Sequence, residues 1–141
     1  MRALADGCAG LSLRQAARRV TLLHDEALRD SGLSLAQIGL MAQIATSADD
    51  RMAALAARAG LDPSTLSRNL RGLERDGLVE IASVEKDLRR RAVWLTEKGL
   101  GRLQAALPAW RDAQARMAEL FPADLLQRLA AASEKLGGQT E

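Results

Sequence analysis

Residues 62–80, DPSTLSRNLRGLERDGLVE, place a set of hydrogen-bonding side chains on one face of an expected helix. At about 100° per residue, Leu66, Leu70 and Leu73 share one stripe of that helix. The opposite stripe and its flanks carry hydroxyl and guanidinium groups: Ser64, Thr65, Ser67, Arg68, Arg71 and Arg75. Arginine hydrogen-bonds guanine edges and phosphates bidentately, and serine or threonine hydroxyls contact bases or phosphates. Arg68 has no acidic residue three or four positions away, so we expect this face to meet a partner outside the chain.

A second basic cluster, EKDLRRR at residues 85–91, lies between two apolar segments. Its four cations, Lys86, Arg89, Arg90 and Arg91, lie on both sides of Asp87. An arginine at the tip of a projecting loop can enter a minor groove, where narrow A·T tracts concentrate negative potential. The alternative is a solvated basic turn, which is the commoner fate of a charge run taken alone. Beside a helix of the kind described above, we favour the contact with DNA.

The elements that position these two clusters are mainly helical. A Ser34–Gln37 capping box opens one helix, and Asp62 followed by Pro63 opens another. The four expected N-terminal helices run from about residue 9 to 30, from 34 to 46, from after Asp50 to Gly60, and from 62 to 77. Strands are expected at residues 78–84 and 92–96. A long helix then begins near Glu97, with a kink expected at Pro108, and a last helix follows Pro122.

Three short helices followed by a two-stranded hairpin form a winged helix, a helix-turn-helix variant whose second helix enters the major groove. The predicted fold class is mainly α, with a small two- or three-stranded β wing. We place the winged-helix lobe at residues 33–98, between helical regions at residues 1–32 and 99–141.

The composition restricts the classes of function that the protein can have. The 141 residues include one histidine and one cysteine and carry a formal net charge of +2. One cysteine excludes an intramolecular disulfide, and the pair is too small for a structural zinc site, so we predict no metal and no cofactor. Cys8 and His24 lie too far apart along one helix to form a catalytic dyad, and no phosphate-binding glycine loop occurs, so an enzyme is not expected. Asp6 interrupts the apolar start and no stretch approaches a membrane span; we expect a cytoplasmic protein.

Over residues 33 to 100 the chain resembles the MarR family of winged-helix regulators, named for multiple antibiotic resistance. The residues that carry the resemblance follow one another in order: Leu55-Ala56, Ser64-Thr65, Arg68, Leu73, Gly77-Leu78-Val79, Asp87-x-Arg89, Leu95-Thr96 and Gly99. The resemblance implies that Arg89 is the wing arginine, that Asp87 orients it, and that the polar face of the fourth helix enters the major groove. It also implies a repressor that small, often aromatic, anions release from double-stranded DNA. Gly72 is not a feature of the family.

The flanking helices predict a homodimer without reference to the family. The first helix and the last two each carry an apolar stripe, and soluble monomers rarely expose large apolar patches. A two-fold dimer would bury these stripes and duplicate the recognition helix. Two recognition helices on one face of DNA imply a pseudo-palindromic operator with half-sites about one helical turn apart.

Three residues have two interpretations each. His24 and Met41 are candidates for bordering an effector pocket, although both residue types more often simply fill cores. Cys8 is a candidate redox sensor, and the alternative is a small apolar residue at a helix start. A winged helix that binds a protein instead of DNA is a further alternative, but its recognition face would be mixed or apolar.

Overall fold

A computed structural model describes residues 7–49, 51–84 and 87–137, with the backbone alone described at residues 83, 84 and 87–91. Within these ranges the chain forms six α-helices and one antiparallel hairpin, in an order that matches the predicted fold class. The elements are α1 (Ala9–Ala27), α2 (Leu35–Thr46), α3 (Met52–Ala59), α4 (Pro63–Arg75), β1 (Val79–Val84), β2 (Asp87–Leu95), α5 (Glu97–Leu120) and α6 (Ala123–Gly137).

Side-chain caps fix the helix starts that the sequence predicted. The capping box at α2 is present, because Ser34 Oγ accepts from the Gln37 backbone N–H at 3.2 Å and Gln37 Oε1 accepts from the Ser34 N–H at 2.9 Å. The first helix is shorter than predicted. It ends at Ala27, and a 3₁₀ turn at Arg29–Ser31 closes on Gly32 in the left-handed conformation, φ 68°.

The core of the winged-helix lobe lies among α2, α3, α4 and the base of the hairpin. The largest fully buried side chains are Leu28, Met41, Leu55, Leu66, Leu70 and Leu73. Leu78, Val79 and Val93 bring the hairpin onto the same core. The leucine stripe of α4 therefore anchors that helix, as the spacing predicted.

The hairpin is longer than predicted, and the expected start of its second strand at Ala92 is wrong. β2 begins at Asp87, and its register runs regularly from Val79↔Leu95 to Ser83↔Arg91 before an irregularity between Ser83 and Val84. Backbone pairing satisfies peptide groups whatever the side chains are, so a polar run can extend a strand beyond the apolar segment that anchors it. The sheet has two strands, and a single antiparallel bridge, Arg51↔Ala92, adds the segment before α3 to its edge.

The two C-terminal helices differ in how they pack. α5 is continuous across Pro108 and buries Leu103, Ala106, Ala113 and Met117 against the rest of the chain, where it packs on both α1 and α2. α6, in contrast, is exposed at every position from 123 to 136. The helices within the described ranges lack the length and apolar character that a bilayer span requires.

Candidate nucleic-acid interface

Helix α4 is held by its cap and by its leucine stripe. Asp62 is the N-cap and Pro63 occupies the first turn, where its missing N–H costs no hydrogen bond. Leu66, Leu70 and Leu73 are at most 1% exposed. The rotation of α4 about its own axis is thus fixed, and so is the face that it presents to solvent.

That outer face carries the predicted binding residues. Ser64, Arg68, Arg71 and Arg75 are exposed, and Thr65 and Ser67 are half-buried on its flanks. In the part of the chain that the structure describes, none of the three guanidinium groups forms an ion pair with a carboxylate. Like charges at i,i+4 on Arg71 and Arg75 slightly destabilise an isolated helix, so the row is suited to an anionic partner.

The N-cap carboxylate does more than close the helix end. Asp62 Oδ1 accepts from the backbone N–H groups of Ser64 and Thr65 at 3.0 and 2.9 Å, and from Ser64 Oγ at 2.5 Å. Asp62 Oδ2 accepts from Thr65 Oγ1 at 2.7 Å. The Ser64 and Thr65 hydroxyls, followed by the Thr65 N–H, hold the pKa of this carboxyl group well below its usual range. The sequence identified Asp62 only as a cap; an Asp followed at +2 and +3 by Ser and Thr is the signal for these additional bonds.

A groove of about 260 Å³ lies between α4 and the hairpin. Ser67, Arg71 and Glu74 line it from the helix, and Ile81 and Ala82 line it from β1. Two of the predicted binding residues, Ser67 and Arg71, therefore lie on the side of α4 that faces the hairpin.

Four of the five predicted wing residues lie at the far end of that hairpin. The backbone of Asp87, Arg89, Arg90 and Arg91 belongs to β2, so the structure places these residues on a strand and not in a free loop. Their side chains, and Lys86 as a whole, lie outside the described residues. The role of Arg89 and its orientation by Asp87 stay predictions.

The segment before α3 carries an exposed arginine that sequence reasoning missed. Arg51 is the N-cap residue of α3, and its Nη2 lies 2.6 Å from Asp49 Oδ2. The hydrogen bonds from the Arg51 side chain hold the pKa of Asp49 well below its usual range. In a helix-turn-helix the first helix crosses the DNA backbone, so an arginine at its start is in a position typical of a phosphate contact. The signal in the sequence is an arginine directly before the apolar residues of that helix.

A tight joint links the end of α4 to the start of α5. Thr96 Oγ1, at the N-cap of α5, donates to the Gly77 carbonyl at 2.8 Å and accepts from the Gly99 N–H at 2.9 Å. Lys98 Nζ donates to the Asp76 carbonyl at 2.6 Å. A Cβ on Gly99 would stand 1.9 Å from the Leu78 carbonyl oxygen, so no side chain fits there. We call these contacts the α4–α5 joint.

An apolar cavity of about 370 Å³ lies on the other side of α5, between it and α2. We call it the α2/α5 cavity; its lining is Ile38, Gly39, Ala42, Leu100, Leu103, Gln104, Leu107 and Trp110. The two predicted effector-pocket residues are not among these. Met41 is fully buried in the core, and His24 is 3% exposed.

His24 serves as a buried link between α1 and α5. Its Nδ1 lies 2.9 Å from the Val20 carbonyl oxygen, and its Nε2 lies 3.0 Å from Gln114 Oε1. Cys8 is half-buried at the N-cap of α1 and makes no side-chain capping bond.

The helix-turn-helix of α3 and α4, the hairpin that follows it and the exposed arginine row together define a winged-helix DNA-binding protein of the transcription-regulator class. Comparisons with known proteins agree. The family model of the MarR family matches residues 31–90. The transcriptional regulator MosR of M. tuberculosis, crystallised in complex with DNA, is 35% identical, with a TM-score of 0.88 over 95% of this chain and 99% of that chain. This chain belongs to the MarR family of transcriptional regulators.

Two structures of lower sequence identity show only that the fold is shared. PcaV from Streptomyces coelicolor, in complex with its natural ligand, is 20% identical, with a TM-score of 0.81 over 98% of this chain and 96% of that chain. MepR of S. aureus, in a complex with DNA, is 16% identical, with a TM-score of 0.77 over 94% and 98% of the two chains. No curated protein sequence matches the chain.

Proposed function

We propose that this protein represses transcription by binding a pseudo-palindromic operator as a homodimer, with α4 in the major groove. The observation that carries the proposal is the row of exposed arginines on α4, opposite leucines that are at most 1% exposed. Such a helix is positioned rigidly and leaves its guanidinium groups for base edges and phosphates. The crystal structure of the 35% identical MosR with DNA supports this use of the fold.

Fluorescence anisotropy with the DNA upstream of the protein's own coding sequence tests the proposal. The wild type is expected to bind this duplex more tightly than a scrambled duplex, and its affinity should fall steeply as salt rises, because phosphate contacts release counterions. Arg68→Ala and Arg89→Ala should each weaken binding by about 5- to 150-fold, since a specific arginine contact contributes about 1–3 kcal/mol. Arg29→Ala, which removes an exposed arginine outside α4 and the hairpin, is the matched control.

Binding no tighter than to scrambled DNA, and equal in all variants, would contradict the proposal. A winged helix that binds a protein would give that result, with little dependence on salt.

The dimer is proposed from the apolar surface that α1, α5 and α6 leave exposed. α6 is exposed at every position from 123 to 136, although Leu125, Leu126 and Leu129 form a stripe along it. A cleft of about 270 Å³ between α1 and α5 is lined by Ala16, Val20, Leu23, Met117, Leu120 and Phe121, together with Arg19. Leucines from α6 of a second copy match this cleft in chemistry, and a two-fold axis would bury both stripes at once. A monomeric mass by light scattering at micromolar concentration would rule the dimer out.

We further propose the α2/α5 cavity as the effector site. Its two walls belong to the DNA-binding lobe and to the predicted dimerisation region, so a ligand that favours one spacing of α2 and α5 would change DNA affinity by its differential binding. No charged side chain is among the lining residues, and the polar side-chain groups there are the Gln104 amide and the indole N–H of Trp110. An ionised ligand would lose hydration there without a counter-charge, so we expect a neutral aromatic compound rather than the anions that the family resemblance implies.

Trp110 provides a direct readout because it lines this cavity. In a Trp94→Phe variant, Trp110 is the remaining tryptophan, and its fluorescence should respond to phenol at lower concentration than to benzoate. Phenol should also release the operator duplex. A stronger response to benzoate would show that the charge preference is wrong, and release of DNA by phenol with no change in Trp110 fluorescence would place the effector elsewhere.

A further inference from the structure

The hydroxyl groups at the start of α4 are already committed as hydrogen-bond donors. Ser64 Oγ lies 2.5 Å from Asp62 Oδ1, and Thr65 Oγ1 lies 2.7 Å from Asp62 Oδ2. The same carboxylate also accepts the backbone N–H groups of both residues. Each of its two oxygens therefore holds one of the two hydroxyl groups in a fixed direction.

The direction of these bonds follows from the chemistry of the groups. An ionised carboxylate only accepts hydrogen bonds, and a hydroxyl has a single hydrogen to donate. The bonds that lower the pKa of Asp62 keep it ionised at neutral pH. Ser64 and Thr65 must therefore donate to Asp62, and what each hydroxyl can offer a further partner is lone pairs alone.

We infer that Asp62 sets the base preference of the first turn of α4, by restricting Ser64 and Thr65 to accepting hydrogen bonds. In the major groove the donors are the exocyclic amino groups, N6 of adenine and N4 of cytosine. Guanine N7 and O6, thymine O4 and the phosphate oxygens are acceptors. The lone pairs of Ser64 and Thr65 and the negative charge of Asp62 would repel them. This inference rests on the proposed placement of α4 in the major groove.

The recognition helix then has two ends of opposite hydrogen-bonding character. Its first turn, at Ser64 and Thr65, accepts from adenine or cytosine. Its next turns, at Arg68 and Arg71, donate to guanine or phosphate. A half-site read by α4 should therefore pair an amino-bearing base at one end with guanine at the other.

Selection of duplexes from a random library by the full-length protein tests this inference. The wild type should enrich adenine or cytosine at one or two positions per half-site. Asp62→Asn retains one oxygen that can cap the helix and replaces the other by an amino group. The amino group donates a hydrogen bond and cannot accept one, so one of the two hydroxyl groups becomes free to donate its hydrogen to DNA. Asp62→Asn should lose that enrichment or move it towards guanine and thymine. Asp30→Asn, an exposed aspartate in the turn after α1, is the matched control and should select the wild-type sequence.

A double-mutant cycle on the selected duplex gives the magnitude. Replacing adenine by purine, or cytosine by 2-pyrimidinone, removes only the amino group. At the positions read by the first turn, this should weaken wild-type binding by about three- to tenfold, the range of one ordinary hydrogen bond. The double variant Ser64→Ala/Thr65→Val removes both hydroxyl groups, so the same base change should cost it less than about twofold. This double variant gives the answer even if Asp62→Asn does not fold.

The outcomes separate this inference from the proposed function. Equal penalties in the wild type and in Ser64→Ala/Thr65→Val, or one common selected sequence for the wild type and Asp62→Asn, would overturn the inference and leave DNA binding intact. No enrichment by any of the proteins would overturn both.

Discussion

Leu126, in the leucine stripe of α6, provides a quantitative test of the proposed dimer. Its side chain is 50% exposed in the single chain. Burying a whole leucine contributes about 1.5–3 kcal/mol, so covering the exposed half contributes roughly 0.7–1.5 kcal/mol in each protomer. The two-fold symmetry doubles this to about 1.5–3 kcal/mol for the dimer. Leu126→Ala should therefore raise the dimer dissociation constant by about 10- to 150-fold.

Sedimentation velocity over a range from nanomolar to high micromolar protein measures that constant directly. Gln127→Ala is the matched control, because at about 100° per residue its side chain lies opposite the leucine stripe of α6. At protein concentrations below the new dimer dissociation constant, Leu126→Ala should also bind the operator more weakly than the wild type does. A dissociation constant within twofold of the wild type in Leu126→Ala would refute the assignment of α6 to the interface.

Three further predictions concern the winged-helix lobe and its joint with α5. Gly99→Ala should lower the free energy of unfolding by about 1–3 kcal/mol in urea titrations, because its Cβ would meet the Leu78 carbonyl oxygen at 1.9 Å; an unchanged midpoint would contradict the α4–α5 joint. Gly72→Ala should raise that free energy by about 0.5–1 kcal/mol, since a Cβ there meets nothing closer than Arg75 Nη2 at 4.0 Å; a loss would reveal a close contact. The folded-state pKa of Asp62 lies below the ordinary value of 3.8, so its contribution to stability is complete above that value and is lost as the pH falls through and below it. The difference in Tm between the wild type and Asp62→Ala should therefore shrink between pH 6 and pH 3, and a constant difference would show that the cap does not depend on charge.

The parts of the fold that the sequence predicted are those determined by local chemistry. The Ser34–Gln37 capping box and the Asp62 cap depend on residues within three positions of one another, and both are confirmed. The leucine stripe of α4 follows from helical spacing, and its burial is confirmed. The polar face opposite it could therefore be predicted together with the helix.

The features that the sequence did not reveal depend on non-local pairing. β2 starts at Asp87, five residues before the expected position. The segment EKDLRRR has no apolar alternation, so its backbone pairing with β1 could not be recognised from the sequence. His24 Nε2 lies 3.0 Å from Gln114 Oε1, ninety positions away, a contact that no local pattern predicts. Only the folded chain brings these groups together.

The α4–α5 joint determines where this regulator can be divided and recombined. Its contacts join residues 76–78 to residues 96–99 and cross the predicted boundary between residues 98 and 99. A chimera cut at that boundary would pair Gly99 of one parent with the Leu78 carbonyl of another, in a contact that leaves no room for a Cβ. Exchange of DNA-binding lobes between relatives should therefore transfer residues 33–99 as a single unit, with the glycine included. The domain boundary drawn from helix function and the boundary suited to protein engineering differ by this one residue.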